Sequence, residues 1–112
     1  MRGVGIDIVE IKKFKKAAER FGDRFLKKIF TEKELEYSFS KRNAFQHLAA
    51  RFAGKEAVIK ALGKALSLKS IEILNKRNGE PFCKIKNQKN RYKIFISLSH
   101  TQHYATAIAI LT

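Results

Sequence analysis

The sequence contains little of what marks secreted or membrane proteins. It has one cysteine, Cys83, among 112 residues, so no internal disulfide can form, which is compatible with a reducing compartment. Asp7 and Glu10 interrupt the N-terminal apolar segment where a signal peptide would need an apolar core. No apolar run approaches the ~20 residues that a helix needs to cross a bilayer. We therefore expect a soluble cytoplasmic protein that does not associate with a membrane.

Acidic residues are also scarce. The chain has 24 Lys and Arg against 10 Asp and Glu, which gives a formal net charge of +14. Such a charge attracts nucleic acids, phosphate-rich ligands, acidic membranes or acidic proteins, and it does not distinguish among them. The hydrophobic content of 45% is ordinary for a globular protein. The length fits one compact domain over residues 1–112, and no linker or repeat divides it.

Hydrophobic periodicity predicts helices in the first part of the chain and strands in the last part. The predicted helices cover residues 11–22, 31–39 and 44–63. The first stops at Gly22, and a capping box at residues 31–34 opens the second. The predicted strands cover residues 3–9, 71–74, 82–85, 92–98 and 104–111, with a polar turn at 87–90. This order indicates an α+β domain with a largely antiparallel sheet packed on the long third helix and with shorter helices.

Two acids lie inside apolar patterns. Asp7 interrupts the run from Val4 to Val9, and Glu56 falls within the apolar stripe of the long helix at about 100° per residue. An unpaired buried carboxylate costs several kcal/mol. The pattern therefore suggests that Asp7 and Glu56 share a divalent cation, which we predict to be Mg²⁺, with its remaining positions taken by water and phosphate oxygens. The alternative is that each acid pairs with a lysine.

Cations accompany Glu56 on the long helix at Arg51, Lys55 and Lys60. Lys60 lies one turn beyond Glu56, and a lysine beside a metal-bound pyrophosphate is a common arrangement in phosphoryl transfer. The alternative is a simple pair between Glu56 and Lys60 at positions i and i+4, worth about 0.2–0.5 kcal/mol.

The segment SLSHT, residues 97–101, offers groups that suit an anion. His100 can titrate near neutral pH and donate to a phosphate, and neighbouring hydroxyl and N–H groups can do the same. The alternative is a hydrogen-bonding loop histidine. His47 and His103 have no evident partner in the sequence and are interpreted as surface residues. The spacing of the histidines and Cys83 gives no zinc signature.

The first helix carries a basic stripe, which we define as Lys13, Lys16, Arg20 and Arg24. These residues fall within an arc of about 80° if the helix is continuous. The stripe is interpreted either as a docking face for an acidic partner or as an ordinary solvated face.

Four segments carry a resemblance to a known family: VGIDIVEI at 4–11, RFAGKEAVIKAL at 51–62, NGEPF at 78–82 and SLSHTQHYATAIA at 97–109. In this order they resemble the holo-acyl-carrier-protein synthase family, the small bacterial type of 4'-phosphopantetheinyl transferase. Residues 63–66 depart from the glycine-rich turn that the family often has after its long helix.

The resemblance implies a 4'-phosphopantetheinyl transferase-like fold and a Mg²⁺-dependent reaction. The 4'-phosphopantetheine arm of coenzyme A would pass to a serine of apo acyl carrier protein, releasing adenosine 3',5'-bisphosphate, in support of fatty acid biosynthesis. It also implies a homotrimer with sites at subunit interfaces. Acyl carrier protein would dock on the basic stripe.

The resemblance assigns roles to individual residues. Asp7 and Glu56 would bind Mg²⁺, and with Lys60 they would be catalytic. The implied coenzyme A contacts are Arg51, Lys60, Asn78, Gly79, Pro81, His100 and Thr101. The base that accepts the serine proton stays open among Glu56, Asp7 and a metal-bound water.

Two other classes compete with the enzyme. A small nucleic-acid-binding module would use the net charge of +14 and the aromatic residues. It would leave the acids at positions 7 and 56 unexplained, so we expect no nucleic-acid partner. A non-catalytic adaptor for an acidic protein would explain the basic stripe but not Glu56 with Lys60.

Overall fold

The computed structural model describes residues 2–87 and 93–112. Most of the predicted turn at 87–90 and the predicted start of a strand at residue 92 lie outside these residues. The helices are α1 (Ile11–Ile29), α2 (Glu32–Phe39) and α3 (Ala44–Leu62). The strands are β1 (Gly3–Glu10), β2 (Ile71–Asn75), β3 (Pro81–Ile85), β4 (Ile94–His100) and β5 (Tyr104–Leu111). One turn of 3-10 helix, Leu68–Ser70, precedes β2.

The strands form two sheets rather than one. A three-stranded sheet has the order β1-β5-β4, and β2 and β3 form a separate hairpin. Every pairing is antiparallel, so the predicted α+β class with antiparallel strands is confirmed.

The central strand β5 explains how the larger sheet packs on α3. Its alanines Ala105, Ala107 and Ala109 are buried on the face toward the helix. On β1, a Cβ atom added at Gly5 would overlap the carbonyl oxygen of Ala57, and one at Gly3 would overlap that of Ala61. Small residues at these positions allow the helix backbone to lie directly against the sheet.

The opposite face of this sheet is apolar and exposed. It presents Val4, Ile6 and Ile8 from β1, Tyr104 and Ile108 from β5, and Phe95 from β4. Ile6 and Ile8 are 64% and 67% exposed. We call these six residues the outer apolar face. Contiguous exposed apolar surface of this kind is typical of an interaction site.

The predicted break in the first helix is confirmed at Gly22, where φ is 72° and the helix kinks. Lys13, Lys16 and Arg20 precede the kink, and Arg24 follows it. The four side chains are exposed, but the single arc predicted for the basic stripe holds only for the first three, because the helix axis changes at the kink.

The capping box at the start of α2 is confirmed: Thr31 Oγ1 accepts from Glu34 N, and Glu34 Oε1 accepts from Thr31 N. The Glu34 side chain is also completely buried, where Oε1 pairs with Lys55 Nζ at 2.6 Å. Lys55 Nζ further donates to the carbonyl oxygens of Ile29, Leu68 and Ile71. Lys55 was grouped with Arg51 and Lys60 as one cation set; its side chain instead points into the interior and joins the helices to β2.

The ends of two elements test the sequence prediction further. α3 ends at Gly63, as predicted, and Gly63 adopts the left-handed conformation with φ 68°. The predicted end of a strand at residue 98 is wrong by two residues, because Ser99 and His100 continue to pair with Thr106 and Ala105. His100 therefore shares the sheet face of the β5 alanines, toward α3. Among the described residues, no helix is long and apolar enough to cross a membrane.

Candidate active site

The close approach of β1 to α3 brings Asp7 and Glu56 to one open cavity of about 430 Å³. Lys13 and Phe14 of α1 and Phe52 of α3 line it as well. We call this space the acid cavity. Asp7 reaches it because residues on β1 alternate between the two sheet faces, so that Gly5, Asp7 and Val9 face the helix while the isoleucines between them face outward.

Asp7 has a lysine partner. Lys60 Nζ lies 3.2 Å from Asp7 Oδ1 and 2.9 Å from the carbonyl oxygen of Ile6. The Lys60 side chain is 54% exposed and that of Asp7 is 18% exposed. The sequence pattern allowed a pair between Lys60 and Glu56, and that expectation is wrong, because the neighbouring strand supplies a nearer carboxylate than the helix does.

Glu56 is less buried than its place in the apolar stripe suggested. Its side chain is half-buried at the edge of the acid cavity. Among the residues that the structure describes, none forms an ion pair with it. The fully buried acid of this chain is Glu34. Glu56 is therefore a carboxylate that faces a cavity without an ion-pair partner among the described residues, as a ligand for an external cation would be.

The donor set in the acid cavity fits a magnesium ion. Carboxylate oxygens are the hard ligands that Mg²⁺ prefers, and it commonly takes one or two of them while keeping water and phosphate oxygens. In the described part of the chain, no group of three or more His, Cys, Asp or Glu side chains could hold a metal ion. A pair of carboxylates thus suits an ion shared with a phosphate ligand better than an ion enclosed entirely by protein.

A second group of residues surrounds Arg51, on the part of α3 nearer its N-terminus. We call Tyr37, His47, Arg51, Asn75 and His100 the cationic locus. Arg51 is only 2% exposed. Its guanidinium carbon lies 4.3 Å from the centre of the Tyr37 ring, its Nη2 donates to Asn75 Oδ1, and its Nη1 donates to the carbonyl oxygen of His47 at 3.4 Å. Burial lowers the pKa of Arg51, and nearby Tyr37 and Glu34 oppose that effect.

Asn75 links Arg51 to the predicted nucleotide-binding turn. Its Nδ2 donates to the carbonyl oxygen of Gly79 at 2.8 Å. Gly79 has φ 93°, which favours glycine. Asn78 Oδ1 accepts from Glu80 N at 3.0 Å, which braces the turn from inside. Pro81 begins β3 opposite Asn75. The sequence prediction named the turn residues but missed Asn75, which precedes the turn by three positions and connects it to the buried arginine.

Two residues of the SLSHT segment, His100 and Thr101, make different contacts. The His100 ring lies 5.8 Å from the His47 ring, which brings it into the cationic locus. Thr101 Oγ1 accepts from the backbone N–H groups of His103 and Tyr104, so it caps the turn between β4 and β5. His47 also contacts Tyr37 at 5.8 Å. The interpretation of His47 as a surface residue without a partner is therefore wrong. Its position one helical turn before Arg51 could have indicated that the two side chains are neighbours.

The structure thus groups the predicted site residues in two places. Asp7 and Glu56 line the acid cavity, and Lys60 is paired with Asp7. Arg51, His100 and the turn from Asn78 to Pro81 lie around the cationic locus, with Thr101 in the adjacent turn. Arg51 and Glu56 project from α3 at about 140° to each other at the helical rotation per residue.

Comparisons with known proteins cover nearly the whole chain. Residues 3–109 match the family model of the 4'-phosphopantetheinyl transferase superfamily. The chain is 53% identical to the holo-[acyl-carrier-protein] synthase of Thermodesulfovibrio yellowstonii, covering 100% of this chain and 99% of the relative. It is 48% identical to the enzyme of that name from Chlamydia trachomatis, over 98% of each chain.

Solved structures agree with the predicted fold. The Helicobacter pylori holo-[acyl-carrier-protein] synthase in complex with coenzyme A matches with a TM-score of 0.87 at 27% identity, covering 97% of this chain and 99% of that one. The Bacillus anthracis enzyme in complex with CoA (3',5'-ADP) matches with a TM-score of 0.85 at 29% identity, covering 98% and 95%. The predicted 4'-phosphopantetheinyl transferase-like fold is confirmed. The chain belongs to the 4'-phosphopantetheinyl transferase superfamily, as an enzyme of the holo-[acyl-carrier-protein] synthase family.

Proposed function

We propose that this enzyme transfers the 4'-phosphopantetheine group of coenzyme A to a serine of apo acyl carrier protein in a Mg²⁺-dependent reaction. Its relatives and the coenzyme A complexes of structural neighbours support the transfer. The observation that carries the proposal is the acid cavity, which Asp7 and Glu56 line together, with the exposed ammonium of Lys60 paired to Asp7. The cytoplasm, with fatty acid biosynthesis as the consuming process, is the setting we propose.

The residues at the acid cavity can serve both the negative charge of the pyrophosphate and the proton that the serine hydroxyl loses. The serine oxygen forms a bond to the β-phosphorus of coenzyme A, and the bond from that phosphorus to the bridging oxygen breaks. Adenosine 3',5'-bisphosphate leaves with the electron pair. Asp7 and Glu56 would hold Mg²⁺, which when bound supplies positive charge to the pyrophosphate oxygens. Glu56 or Asp7 would accept the serine proton.

Lys60 would supply the second positive charge. Its ammonium group is half-exposed and rests on Asp7 Oδ1 and the Ile6 carbonyl oxygen. Exposed ion pairs of this kind contribute little to stability, so the flexible side chain can exchange Asp7 for a phosphate oxygen at small cost. Lys60 would then stabilise the negative charge on the transferring phosphoryl group.

The cationic locus would bind the nucleotide part of coenzyme A. Arg51 and His100 offer positive charge, and the turn at Asn78, Gly79 and Pro81 offers backbone groups beside Asn75. Thr101, in the turn after β4, accepts from two backbone N–H groups and donates its hydroxyl proton to the carbonyl oxygen of Tyr104 at 3.5 Å. We propose that this O–H turns from the carbonyl to a phosphate oxygen when the nucleotide binds.

We further propose that three copies of the chain cover the outer apolar face, where Ile6 and Ile8 are otherwise exposed. Obligate interfaces are rich in such apolar residues. In this arrangement an acid cavity of one subunit can work with a cationic locus of its neighbour. The basic stripe, led by Lys13 at the rim of the acid cavity, would dock the acidic carrier protein by charge complementarity.

The experiment combines the protein with coenzyme A, Mg²⁺ and apo acyl carrier protein, and mass spectrometry detects phosphopantetheine on the carrier. We expect addition with Mg²⁺ and its loss with a chelator. A carrier that stays unmodified, together with tight and salt-sensitive binding of the protein to RNA or DNA, would support the nucleic-acid-binding alternative instead.

A further inference from the structure

The cationic locus contains a buried positive charge that forms no ion pair with an acid of the described chain. Arg51 is nearly fully buried, yet none of the described carboxylates forms an ion pair with it. Its Nε has no hydrogen-bond partner. The Arg51 guanidinium lies 4.3 Å and the Lys41 ammonium 4.9 Å from the centre of the Tyr37 ring. A buried cation with an unsatisfied donor and no ion-pair partner indicates a place for an anionic ligand.

His47 lies inside this group of cations. Its ring meets the His100 ring from β4 and the Tyr37 ring from α2, each at 5.8 Å and close to edge-on. Arg51 faces it from the next turn of α3, and Lys41 faces it from the loop after α2. Burial is the main cause that lowers the pKa of His47, followed by the charges of Arg51, His100 and Lys41. In the free protein His47 is therefore mostly neutral at pH 7.

We propose that His47 is a further nucleotide-binding residue, which joins Arg51 and His100 in one phosphate site and takes up a proton when that phosphate binds. The inference rests on the proposed binding of coenzyme A at the cationic locus and adds a residue and a proton to it. A phosphate brings up to two negative charges. It offsets the neighbouring cations that disfavour a charged imidazole, so protonated His47 becomes a second donor to the phosphate.

The direction of the pH effect follows from linkage. Binding raises the pKa of His47 above its value in the free protein. The affinity that His47 contributes is then fully present below the free-state pKa and is lost as the pH rises through the bound-state pKa. A rise of one pKa unit corresponds to a tenfold change in affinity across that window, about 1.4 kcal/mol.

The test follows the histidine ring signals by NMR across pH 5 to 8, with and without adenosine 3',5'-bisphosphate. The chain has three histidines, so His47→Gln, His100→Gln and His103→Gln variants assign every signal. We expect His47 to titrate below its ordinary pKa of about 6.5 in the free protein and at least about one unit higher with the nucleotide bound. His103 is the internal control, because its side chain is exposed and the turn uses only its backbone groups.

Enzyme kinetics provide a second readout. His47→Phe keeps an aromatic ring against Tyr37 and His100 but cannot bind a proton. We expect its KM for coenzyme A to rise about tenfold at pH 6.5, with an unchanged KM for the carrier protein and unchanged thermal unfolding. His103→Gln should behave as the wild-type protein.

The outcomes separate this inference from the proposed function. If the nucleotide binds and the His47 titration does not move, or if His47→Phe binds coenzyme A as well as the wild-type protein does, the role of His47 is wrong and the nucleotide site stands. If adenosine 3',5'-bisphosphate does not bind at all, the proposed nucleotide site and the role of His47 both fail.

Discussion

At the scale of single residues, two charged pairs of the chain differ in how deeply they are buried. Lys55 and Glu34 are fully buried and satisfy each other with backbone groups around them. Asp7 and Lys60 form a half-exposed pair beside a cavity. Buried pairs are costly to break from one side, whereas exposed pairs exchange partners readily. The first kind therefore maintains the fold, and the second is available for a ligand.

Glu56→Ala should abolish phosphopantetheine transfer while leaving the free energy of unfolding unchanged or slightly raised. The reason is that Glu56 is half-buried and has no partner among the described residues, so its removal breaks no ion pair and relieves a desolvated charge. Mass spectrometry of the carrier protein and urea unfolding measure the two effects. A wild-type transfer rate in this variant would refute the role of Glu56.

Lys55→Met should lower the free energy of unfolding by about 3–5 kcal/mol, because Glu34 would keep a buried charge without a counter-ion. The double variant Lys55→Met with Glu34→Gln should recover part of the loss, since it removes both charges. Urea unfolding gives the comparison, with Lys64→Met as an exposed control. A loss no larger than that of the control would show that the buried pair contributes nothing.

These residues also show what the sequence can and cannot predict. The capping box of Thr31 and Glu34 follows from spacing within one turn and is confirmed. The burial of Glu34 depends on Lys55, which lies 21 positions away in the sequence. A contact between residues so far apart cannot be read from the spacing of residues within one helix. Glu56 was recognised by helical periodicity, but its partial exposure depends on how α1 and β1 leave the acid cavity open. Asn75 and His47 matter through contacts between elements, and periodicity within one element does not reveal them.

At the scale of secondary-structure elements, the site depends on how closely β1 lies against α3. Gly3 and Gly5 permit that approach, and the acid cavity follows from it. The strand alternation then fixes which residues face the helix. The sequence predicted both elements with nearly correct ends, and the sheet order that joins β1 to β5 was not predictable from the pattern of either strand alone.

Gly5→Ala should lower the free energy of unfolding by about 1–3 kcal/mol or more, because the new methyl group meets the rigid backbone of Ala57. It should also reduce transfer at temperatures where the protein stays folded, because β1 must move and carries Asp7 with it. Gly54→Ala is the matched control. There the added methyl meets the ends of the Ile73, Ile96 and Leu98 side chains, which can shift. Equal effects of the two substitutions would contradict the backbone explanation.

At the scale of the whole molecule, two surfaces have opposite character. The outer apolar face carries exposed isoleucines in a sheet whose other face is covered by α3. The basic stripe carries exposed cations in a chain with a net charge of +14. The first suits a permanent subunit contact, and the second suits a transient encounter with an acidic protein.

Light scattering should give three times the chain mass for the wild-type protein at micromolar concentration. Ile6→Glu should dissociate it, because a carboxylate on the outer apolar face would be desolvated in the contact. The rate of phosphopantetheine transfer should also fall in the dissociated variant, because the proposed sites lie between subunits. Lys69→Glu is the control, because it adds a carboxylate at an exposed position outside the outer apolar face. It should leave the mass of the assembly unchanged. A wild-type protein that is monomeric and active would exclude the trimer.

Charge reversal at Lys16 and Arg20 should raise the KM for the carrier protein while the affinity for coenzyme A persists. Both residues are exposed and precede the kink at Gly22, so they lie on the same face of the helix. The effect should shrink at high salt, where charge attraction is screened. Lys28→Glu, at the other end of α1, serves as the control. Parallel loss of affinity for both substrates would argue against a dedicated docking face.

The alternation of β1 has a consequence for quality control of the folded chain. Asp7 faces inward while Ile6 and Ile8 face outward, so a slip of β1 by one residue against β5 would exchange the two sets. Such a misregistered molecule would bury isoleucine at the position of the acid and expose a carboxylate on the face that we propose as the subunit contact. In the proposed trimer such a molecule would be excluded, so that only chains with a correctly formed acid cavity would assemble.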